Sequence, residues 1–480
     1  MELDPHACYT ALRARDYRYD GRFFVAVKTT GIYCRPICPA KPARFENVRF
    51  YGTAAEAEAR GFRPCMRCRP EAAAGSPRWN GTSATVSRAL KRIDDGYLAA
   101  HGVPDLAALV GLGQRHLRSL FVQHVGVAPK TLADARRLDF AKNLIDTTAL
   151  SMADVATASG FSSIRRFNDA IKRRYGGAPT ELRTRRPAAA AGSASGAVIY
   201  LAYRPPYDWD WMLEHLGERS LRGVEVADRQ AYSRSFRLDG SGGWLRVTPE
   251  VDRHRVKVEV FGSDVRSLMP IAQRTRALFD LNADPLLISH ALSAGSAMRP
   301  LVSRFPGTRL PGSWDAYETA VKAIVGQLIS VKAASSISNR LVARFGRPLC
   351  APTEGAPTRI FPEPPALADC GLESVGLTRA KANAIRELSR RVVAGTIELD
   401  GLVDSARLHE QLLEIPGVGP WTADYVALKV ADPDTLPRSD LVIARCLKKL
   451  GSNGDMWKPW RGYATHYLWR SYAQDRGRYR

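Results

Sequence analysis

Apolar side chains recur at helical spacing through residues 82–186: Leu106, Leu109 and Val110, then Leu117, Leu120 and Phe121. Gly111-Leu112-Gly113 interrupts the two runs where a tight turn is expected. A second unit repeats the scheme, with Met152, Val155 and Ala156 before Gly160-Phe161, and Phe167 and Ile171 after it. Each unit is predicted to be two short helices joined by a glycine-containing turn. The second helix carries cations on its polar face: Arg115, His116 and Arg118 in the first unit, and Arg165, Arg166 and Lys172 in the second. Two readings fit: helix-turn-helices whose cations meet base edges and phosphates, or amphipathic hairpins with solvated charges. Further on the period shortens to two. Residues 243–248 and 255–261 alternate as strands do, while 208–217 and 265–281 read as helices, so a small antiparallel sheet with helices is expected. From residue 312 the pattern is helical again. Pro416-Gly417-Val418-Gly419 joins two helical runs within residues 413–424. Glycines there let the backbone approach a phosphate, and the amides opening the next helix point at it. A glycine-rich turn with no ligand is the alternative.

Charge adds a partner class. The 480 residues, roughly three or four domains' worth, carry a formal net charge of +22 with a pI near 9.9. A polyanion is the simplest reason for such an excess, though basicity alone does not separate DNA from RNA or a membrane surface. No uninterrupted apolar run approaches the ~18 residues of a membrane span, and Met1 to His6 lacks the basic-then-apolar order of a signal peptide. Residues 71–77 and 186–196 are small, polar and low in complexity, and read as tethers; proline-rich residues 351–365 read as a surface loop. Cys8, Cys350, Cys370 and Cys446 are scattered, as ordinary thiols are, so a reducing cytoplasm is expected.

The other four cysteines are Cys34, Cys38, Cys65 and Cys68, spaced C-x3-C-x26-C-x2-C. Two close thiolate pairs separated by a short domain's length of chain can close one tetrahedral zinc site. Arg35 and Arg67 stand beside the pairs, which favours ionised cysteine and sets phosphate-binding side chains near a nucleophile. A purely structural zinc module and a reactive zinc-thiolate both fit. The stretch from Arg15 to Pro70 closely resembles the N-terminal domain of the Ada family, which repairs methyl phosphotriesters in DNA. The resemblance implies one Zn2+ held by Cys34, Cys38, Cys65 and Cys68, with Cys34 the methyl acceptor and Arg35, Lys41 and Arg63 at the DNA backbone. Methylating Cys34 would remove one negative charge from the site, so repair is expected to tighten DNA binding.

Residues 153–162, with Arg166-Phe167 and residues 175–180, are similar to the second unit of the AraC-type DNA-binding domain. Arg115, His116, Arg118, Arg165 and Arg166 are then candidate DNA contacts. The Pro416 to Gly419 turn, with Asp440 about twenty residues on, resembles the helix-hairpin-helix DNA glycosylases. Residues 203–213, 323–331 and 457–463 narrow the likeness to the AlkA-type 3-methyladenine DNA glycosylase II. It implies that Asp440 is the catalytic acid and that Leu328, beside Gln327, fills the gap left by an extruded nucleotide. Trp421, Tyr425 and Trp469 then border the base pocket, Pro416, Gly417, Val418 and Gly419 grip the DNA backbone, and the hairpin holds a monovalent cation. A helix N-cap is the structural alternative for Asp440. Arg438-Ser439 stands before Asp440 where the best-known relative has a second acid, and is expected to change the charge around it. Pro420-Trp421 occupies the stretch where strand-cutting relatives place a lysine, so a monofunctional glycosylase is expected.

The expected fold is multidomain, mainly α with α+β parts. It comprises a zinc domain over residues 1–76, an AraC-type double helix-turn-helix over 82–186, a flexible linker over 187–197, a small antiparallel-sheet α+β domain over 198–310 and an all-α helix-hairpin-helix glycosylase domain over 311–480. The resemblances imply hydrolysis of the N-glycosidic bond of alkylated bases and DNA-dependent regulation by the first half. The partners are alkylated double-stranded DNA, a promoter site and RNA polymerase, with no membrane, in a monomer. A damage-responsive regulator with an inactive glycosylase domain is the alternative. No Pro-Cys-His-Arg run is present, so repair of O6-methylguanine is not expected.

Overall fold

The structure, a computed structural model, describes residues 3–65, 67–68, 70, 84–94, 96–184, 196–238, 240–349, 355–399, 405–430 and 432–475. The tether at 71–77, all of the 186–196 tether but its last residue, Cys350 and the first residues of the 351–365 loop lie outside these. The chain divides into two compact units: residues 1–205, 247–276 and 281–284, and residues 206–246, 277–280 and 285–480. Among the described residues no helix is long and apolar enough to cross a membrane.

The first unit opens with helix α1 (Pro5–Ala14), capped by the Asp4 side chain, then strands β1 (Phe24–Val27), β2 (Ile32–Cys34) and β3 (Val48–Tyr51), helix α2 (Ala54–Ala59) and β4 (Arg63–Pro64). The strand order is β3-β1-β2-β4, with β4 parallel to β2. Because successive strand residues face opposite ways, β1 serves two small cores. Val25 packs with Cys8, Ala11 and Leu12, whereas Phe24 and Ala26 pack with Tyr33, Tyr51 and Ala57.

The two predicted helical pairs follow: α3 (Val103–Leu109) and α4 (Gln114–Val125), then, after the connecting helix α5 (Pro129–Thr147), α6 (Met152–Ala158) and α7 (Ile164–Tyr175). Leu106, Leu117, Phe121, Val155, Phe167 and Ile171 are all buried, as their spacing requires. Gly196–Ala202 pairs antiparallel with Arg255–Phe261. The expected helix over 265–281 is shorter. A 3-10 turn at Val265–Ser267, capped by Asp264, precedes an α-helix at Leu268–Leu278, and Pro270, which lacks an N–H, falls in that helix's first turn.

In the second unit α8 (Trp209–Glu218) is capped by Asp208, and Glu225–Ala227 pairs antiparallel with Tyr232–Leu238. The strand expected at 243–248 extends over Ser241–Glu250, and the division between units passes through it. A mainly helical body follows, not wholly α as expected, because Arg347–Pro348 pairs antiparallel with Arg359–Ile360; its helices include α9 (Ala316–Gly326), α10 (Val331–Phe345), α11 (Arg379–Val393), α12 (Ser405–Leu413), α13 (Pro420–Val430), α14 (Leu441–Leu450) and α15 (Arg461–Asp475). Its core joins Val321 and Ile324 of α9, Leu341 of α10, Ile385 and Leu388 of α11, Leu408 and Leu412 of α12 and Val426 of α13. That packing fixes α12 and α13 at the angle their short turn allows.

Candidate active site and metal centre

Asp440 ends the loop after α13 and opens α14. Its Oδ1 accepts the amides of Val442 and Ile443, both at 3.0 Å, and the indole Nε1–H of Trp469 at 3.1 Å; its Oδ2 accepts the Nε1–H of Trp421 at 2.9 Å. Asp440 is thus a helix N-cap, and it is also the meeting point of two indole N–H groups. Capping anchors the carboxylate to backbone, while the indoles, from α13 and α15, fix its rotation. The Arg438 guanidinium turns to Asp455 at 2.9 Å and to the Asn453 carbonyl.

A cavity of about 950 Å³ opens beside Asp440. Trp421 and Tyr425 stack with centroids 5.5 Å apart, and Tyr425 meets Trp469 at 6.3 Å, so the three sequence-predicted aromatic residues form one continuous wall. The cavity continues to groups that were not anticipated: Lys429, His215, His466 and Trp211. Trp421, Tyr425 and Lys429 stand at i, i+4 and i+8 on α13, and His466 and Trp469 at i and i+3 on α15. Helical spacing was the signal that could have found them. Lys429 Nζ donates to the Pro311 carbonyl at 2.7 Å and meets His466 Nε2 at 3.3 Å. Burial, then Arg219 and Lys322, hold Lys429 well below the ordinary amine value.

His215 and His466 are held well below the ordinary imidazole value of 6.5, first by burial and then by nearby cations, Arg219 for His215 and Lys429 for His466. Their folded-state values are depressed, so below pH 6.5 the unfolded chain takes up protons that the folded chain does not. Stability of the second unit is therefore expected to fall on acidification by up to about 1.4 kcal/mol per pH unit for each histidine. Denaturant midpoints between about pH 7 and about pH 5 measure this. The double variant His215→Phe/His466→Leu should flatten the slope, and an unchanged slope would assign it elsewhere.

The hairpin lies between α12 and α13. Gly417 adopts φ +89°, and a Cβ there would meet the Ala380 carbonyl and the Ala384 side chain at 3.5 Å. The amides of Gly417 and Gly419 meet no backbone carbonyl among the described residues, as an anion-binding turn requires. Gln327 spans from the end of α9 to this turn, its Nε2 donating to the Gly417 carbonyl at 2.9 Å and to Thr422 Oγ1 at 2.8 Å. The next residue, Leu328, has φ +57° and is fully exposed. A leucine held out in the left-handed region costs about 1–2 kcal/mol. Lys381 Nζ, donating to the Val325 and Gln327 carbonyls at 2.8 Å each, stabilises the loop that carries it.

In the first unit the sulfur atoms of Cys34, Cys38, Cys65 and Cys68 lie within 4.8 Å of one another. Four thiols so close compete for protons. Cys38 is drawn down to about 7 by its hydrogen bond with Cys34, Cys65 is also lowered, and Cys34 and Cys68 are raised. A tetrahedral cation among them resolves that competition, and a four-sulfur donor set fits zinc. Cys38, Cys65 and Cys68 are buried, whereas Cys34 is partly exposed. Lys41 and Arg63 are exposed, as expected of backbone contacts. Arg35 is the exception. It is buried in an ion pair with Asp20, its amide donates to Cys68 Sγ at 3.3 Å and its guanidinium to the Cys68 carbonyl at 3.2 Å, so it supports the cluster from inside. Arg115, His116 and Arg118 on α4, and Arg165 and Arg166 on α7, are all exposed.

Four family matches cover these parts: the metal binding domain of Ada over residues 7–71, a helix-turn-helix domain over 106–185, the AlkA N-terminal domain over 198–315 and the HhH-GPD superfamily base excision DNA repair protein over 321–461. The "probable bifunctional transcriptional activator/DNA repair enzyme AlkA" of Mycobacterium tuberculosis is 42 % identical over 98 % of this chain and 97 % of its own length. The chain belongs to this bifunctional AlkA family. Escherichia coli DNA-3-methyladenine glycosylase 2 is 32 % identical over 56 % of this chain and 95 % of its own. A 3-methyladenine DNA glycosylase from Archaeoglobus fulgidus shares the fold at a TM-score of 0.51, with 22 % identity over 58 % of this chain and 98 % of that one. As a member of the AlkA family the chain pairs a helix-hairpin-helix DNA glycosylase with Ada-type zinc and helix-turn-helix parts; it binds double-stranded DNA and holds zinc through its cysteine cluster.

Proposed function

We propose that the second unit is a monofunctional DNA-3-methyladenine glycosylase II with Asp440 as its catalytic carboxylate. The observation that carries this is the hold on Asp440: two indole N–H groups from the cavity wall and two helix amides fix one anionic group at the mouth of an aromatic pocket. A purine alkylated at N3 or N7 is already cationic, so the C1′–N bond breaks with its electron pair leaving on a neutral base. Asp440 steadies the oxocarbenium sugar that remains and accepts the proton of the water that adds to it. Trp421, Tyr425 and Trp469 favour the cationic base by cation–π attraction, about 0.5–2 kcal/mol for a good contact. The indole of Trp421 stands where a lyase needs an amine, so the product is an abasic site, and borohydride should trap no covalent adduct.

The free amides of Gly417 and Gly419 take a backbone phosphate. The carbonyls of Pro416 and Val418, which accept nothing among the described residues, suit a monovalent cation beside it. Leu328 is the wedge, with Gln327 bracing it against the hairpin. Leu328→Gly should lower single-turnover excision by about tenfold while raising stability by up to about 1 kcal/mol, since glycine releases the left-handed strain. A variant that excised normally would remove Leu328 from the reaction.

In the first unit, Cys34 is the methyl acceptor. It is the most exposed of the four cysteines, as a nucleophile must be. Its thiolate attacks the methyl carbon in line; the S–C bond forms as the C–O bond breaks, and the electron pair leaves on a phosphodiester oxygen. Zinc would keep the four sulfurs ionised at neutral pH. The loss of one negative charge tightens promoter DNA at the exposed cations of α4 and α7, with Lys41 and Arg63 on the backbone. The boundaries at 1–76, 82–186, 198–310 and 311–480, RNA polymerase as partner, a monomer and a cytoplasmic setting complete this reading. Release of 3-methyladenine from methylated duplex, with mass measurement of Cys34 after exposure to methyl phosphotriesters, tests the two activities separately.

A further inference from the structure

The cavity beside Asp440 does not end at its three aromatic rings. Ring contacts continue from Trp469 to His466, with centroids 5.1 Å apart and planes at 82°. They run on from His466 to His215 at 5.8 Å and from His215 to Trp211 at 5.1 Å. Trp211 and His215 stand at i and i+4 on α8, so one helix face brings both to the cavity. Trp211, His215 and His466 are buried at its far end, with Lys429 alongside, and together they make a floor of nitrogen-bearing side chains.

The hydrogen bonding of that floor is incomplete. His215 is 7 % exposed, yet neither of its ring nitrogens has a partner among the described residues. The indole N–H of Trp211 is buried and also meets no acceptor there. Lys429 Nζ gives one hydrogen to the Pro311 carbonyl and shares another with His466 Nε2. Whichever of the two supplies that shared hydrogen, one further N–H remains on the pair. The buried acids along the cavity wall are already engaged. Glu225 accepts the Tyr232 hydroxyl at 2.5 Å and the Leu221 amide at 2.9 Å, and Glu318 accepts Arg234 at 2.7 Å. A buried donor without an acceptor is costly, so an oxygen brought in by a ligand is favoured. Burial holds both imidazoles below their ordinary value, so at neutral pH they offer hydrogen bonds without a charge that would repel a cationic base. The neighbouring cations Arg219 and Lys322 are paired with Glu218 and Glu225.

We propose that His215 is a specificity-determining residue: with Trp211 and the Lys429–His466 pair it hydrogen-bonds an exocyclic oxygen of the extruded base, so that the cavity favours alkylated guanine over adenine alkylated at the same atom. This rests on the reading of the cavity as the base pocket of a glycosylase. Stacking on Trp421, Tyr425 and Trp469 and the positive charge of the base are common to both purines, so neither can separate them. The edge of the base can. Guanine carries O6, an acceptor with two lone pairs, where adenine carries an amino group whose N–H would face N–H. A site whose buried donors are satisfied by one base and stranded by the other discriminates through that difference.

The test is the initial rate at which the full chain releases each base from one duplex methylated at both purines. 3-Methylguanine and 3-methyladenine share the methyl position and the charge, so their ratio reports the edge alone. A ratio taken within one sample is also independent of the fraction of protein folded. His215→Phe keeps a ring against Trp211 and removes both nitrogens. The ratio of 3-methylguanine to 3-methyladenine should then fall by about threefold to tenfold, the scale of one ordinary hydrogen bond. His215→Gln, which restores a donor and an acceptor, should recover part of it. Trp211→Phe removes another N–H from the same floor and should move the ratio in the same direction, which keeps the test open where His215→Phe does not fold. A ratio unchanged or raised in His215→Phe, or in Trp211→Phe where it stands in, overturns the proposal and leaves the floor to water. Failure of the wild type to release either base defeats the glycosylase reading itself. Release of both at a ratio that His215→Phe does not move keeps that reading and removes this role alone.

Discussion

Asp440→Asn is expected to lower the single-turnover release of 3-methyladenine by about a thousandfold, the scale for losing one preorganised electrostatic group from an active site. Affinity for damaged duplex should stay within a few fold, because the hairpin amides and Leu328 are untouched. The substitution is nearly neutral for the helix. Asparagine is as good an N-cap as aspartate, and its Oδ1 keeps the amides of Val442 and Ile443 and the indole of Trp469. Two changes remain. The negative charge at the start of α14 is lost, about 0.3–1 kcal/mol. The new NH2 also faces the Trp421 indole N–H, which until then donated to Oδ2 at 2.9 Å, and two donors cannot pair. A stability loss of about 1–2 kcal/mol, visible as a small fall in Tm, should accompany the kinetic one. The pairing of a small thermal effect with a large catalytic effect is what distinguishes a reacting carboxylate from a cap. An Asp440→Asn enzyme that released base at the wild-type rate would leave Asp440 with the cap alone.

What the chain discloses before folding depends on how far apart the cooperating residues lie in it. The four cysteines, the Pro416 to Gly419 turn and Asp440 can be picked out in the sequence because residue type within short stretches marks them. The paired helices are legible because Leu117 and Phe121, or Phe167 and Ile171, mark a buried stripe by period alone. Arg35 misleads for the opposite reason. Beside a metal-binding cysteine it reads as a surface cation, yet Asp20, fifteen residues earlier, draws it inside. Where the Arg438 guanidinium turns is likewise set by a residue further along the chain, Asp455. The lower part of the cavity beside Asp440 is hidden for a third reason: His215, Lys429 and His466 come from three elements, and only the packing of α8, α13 and α15 brings them to one cavity. Arg174 is indistinguishable in sequence from Arg173, although one is clamped and the other faces open solvent.

Cys68→Ser is expected to have the largest energetic consequence of any single change in the first unit. Three ligands and a weakly held fourth reduce zinc affinity steeply, and zinc binding to four-cysteine sites contributes about 10–16 kcal/mol to folding, as much as the whole stability of an ordinary domain. The buried cores around β1 are small, so little else offsets that loss. Cys68 also organises its surroundings. Its sulfur accepts the Arg35 amide and its carbonyl accepts the Arg35 guanidinium, so a shift of this residue loosens the support around the buried Arg35–Asp20 pair. Zinc content should fall from one atom per chain to near zero, with loss of methyl transfer. Cys34→Ala, which removes the most exposed ligand and leaves three buried ones, should keep part of the zinc and lose transfer alone. Base release by both variants should stay within about twofold of wild type, because every group that holds Asp440 belongs to the second unit. Metal analysis and the excision assay on the same preparations check this. Full zinc occupancy in Cys68→Ser would remove Cys68 from the ligand set, and a parallel collapse of excision would mean that the two activities do not fold independently.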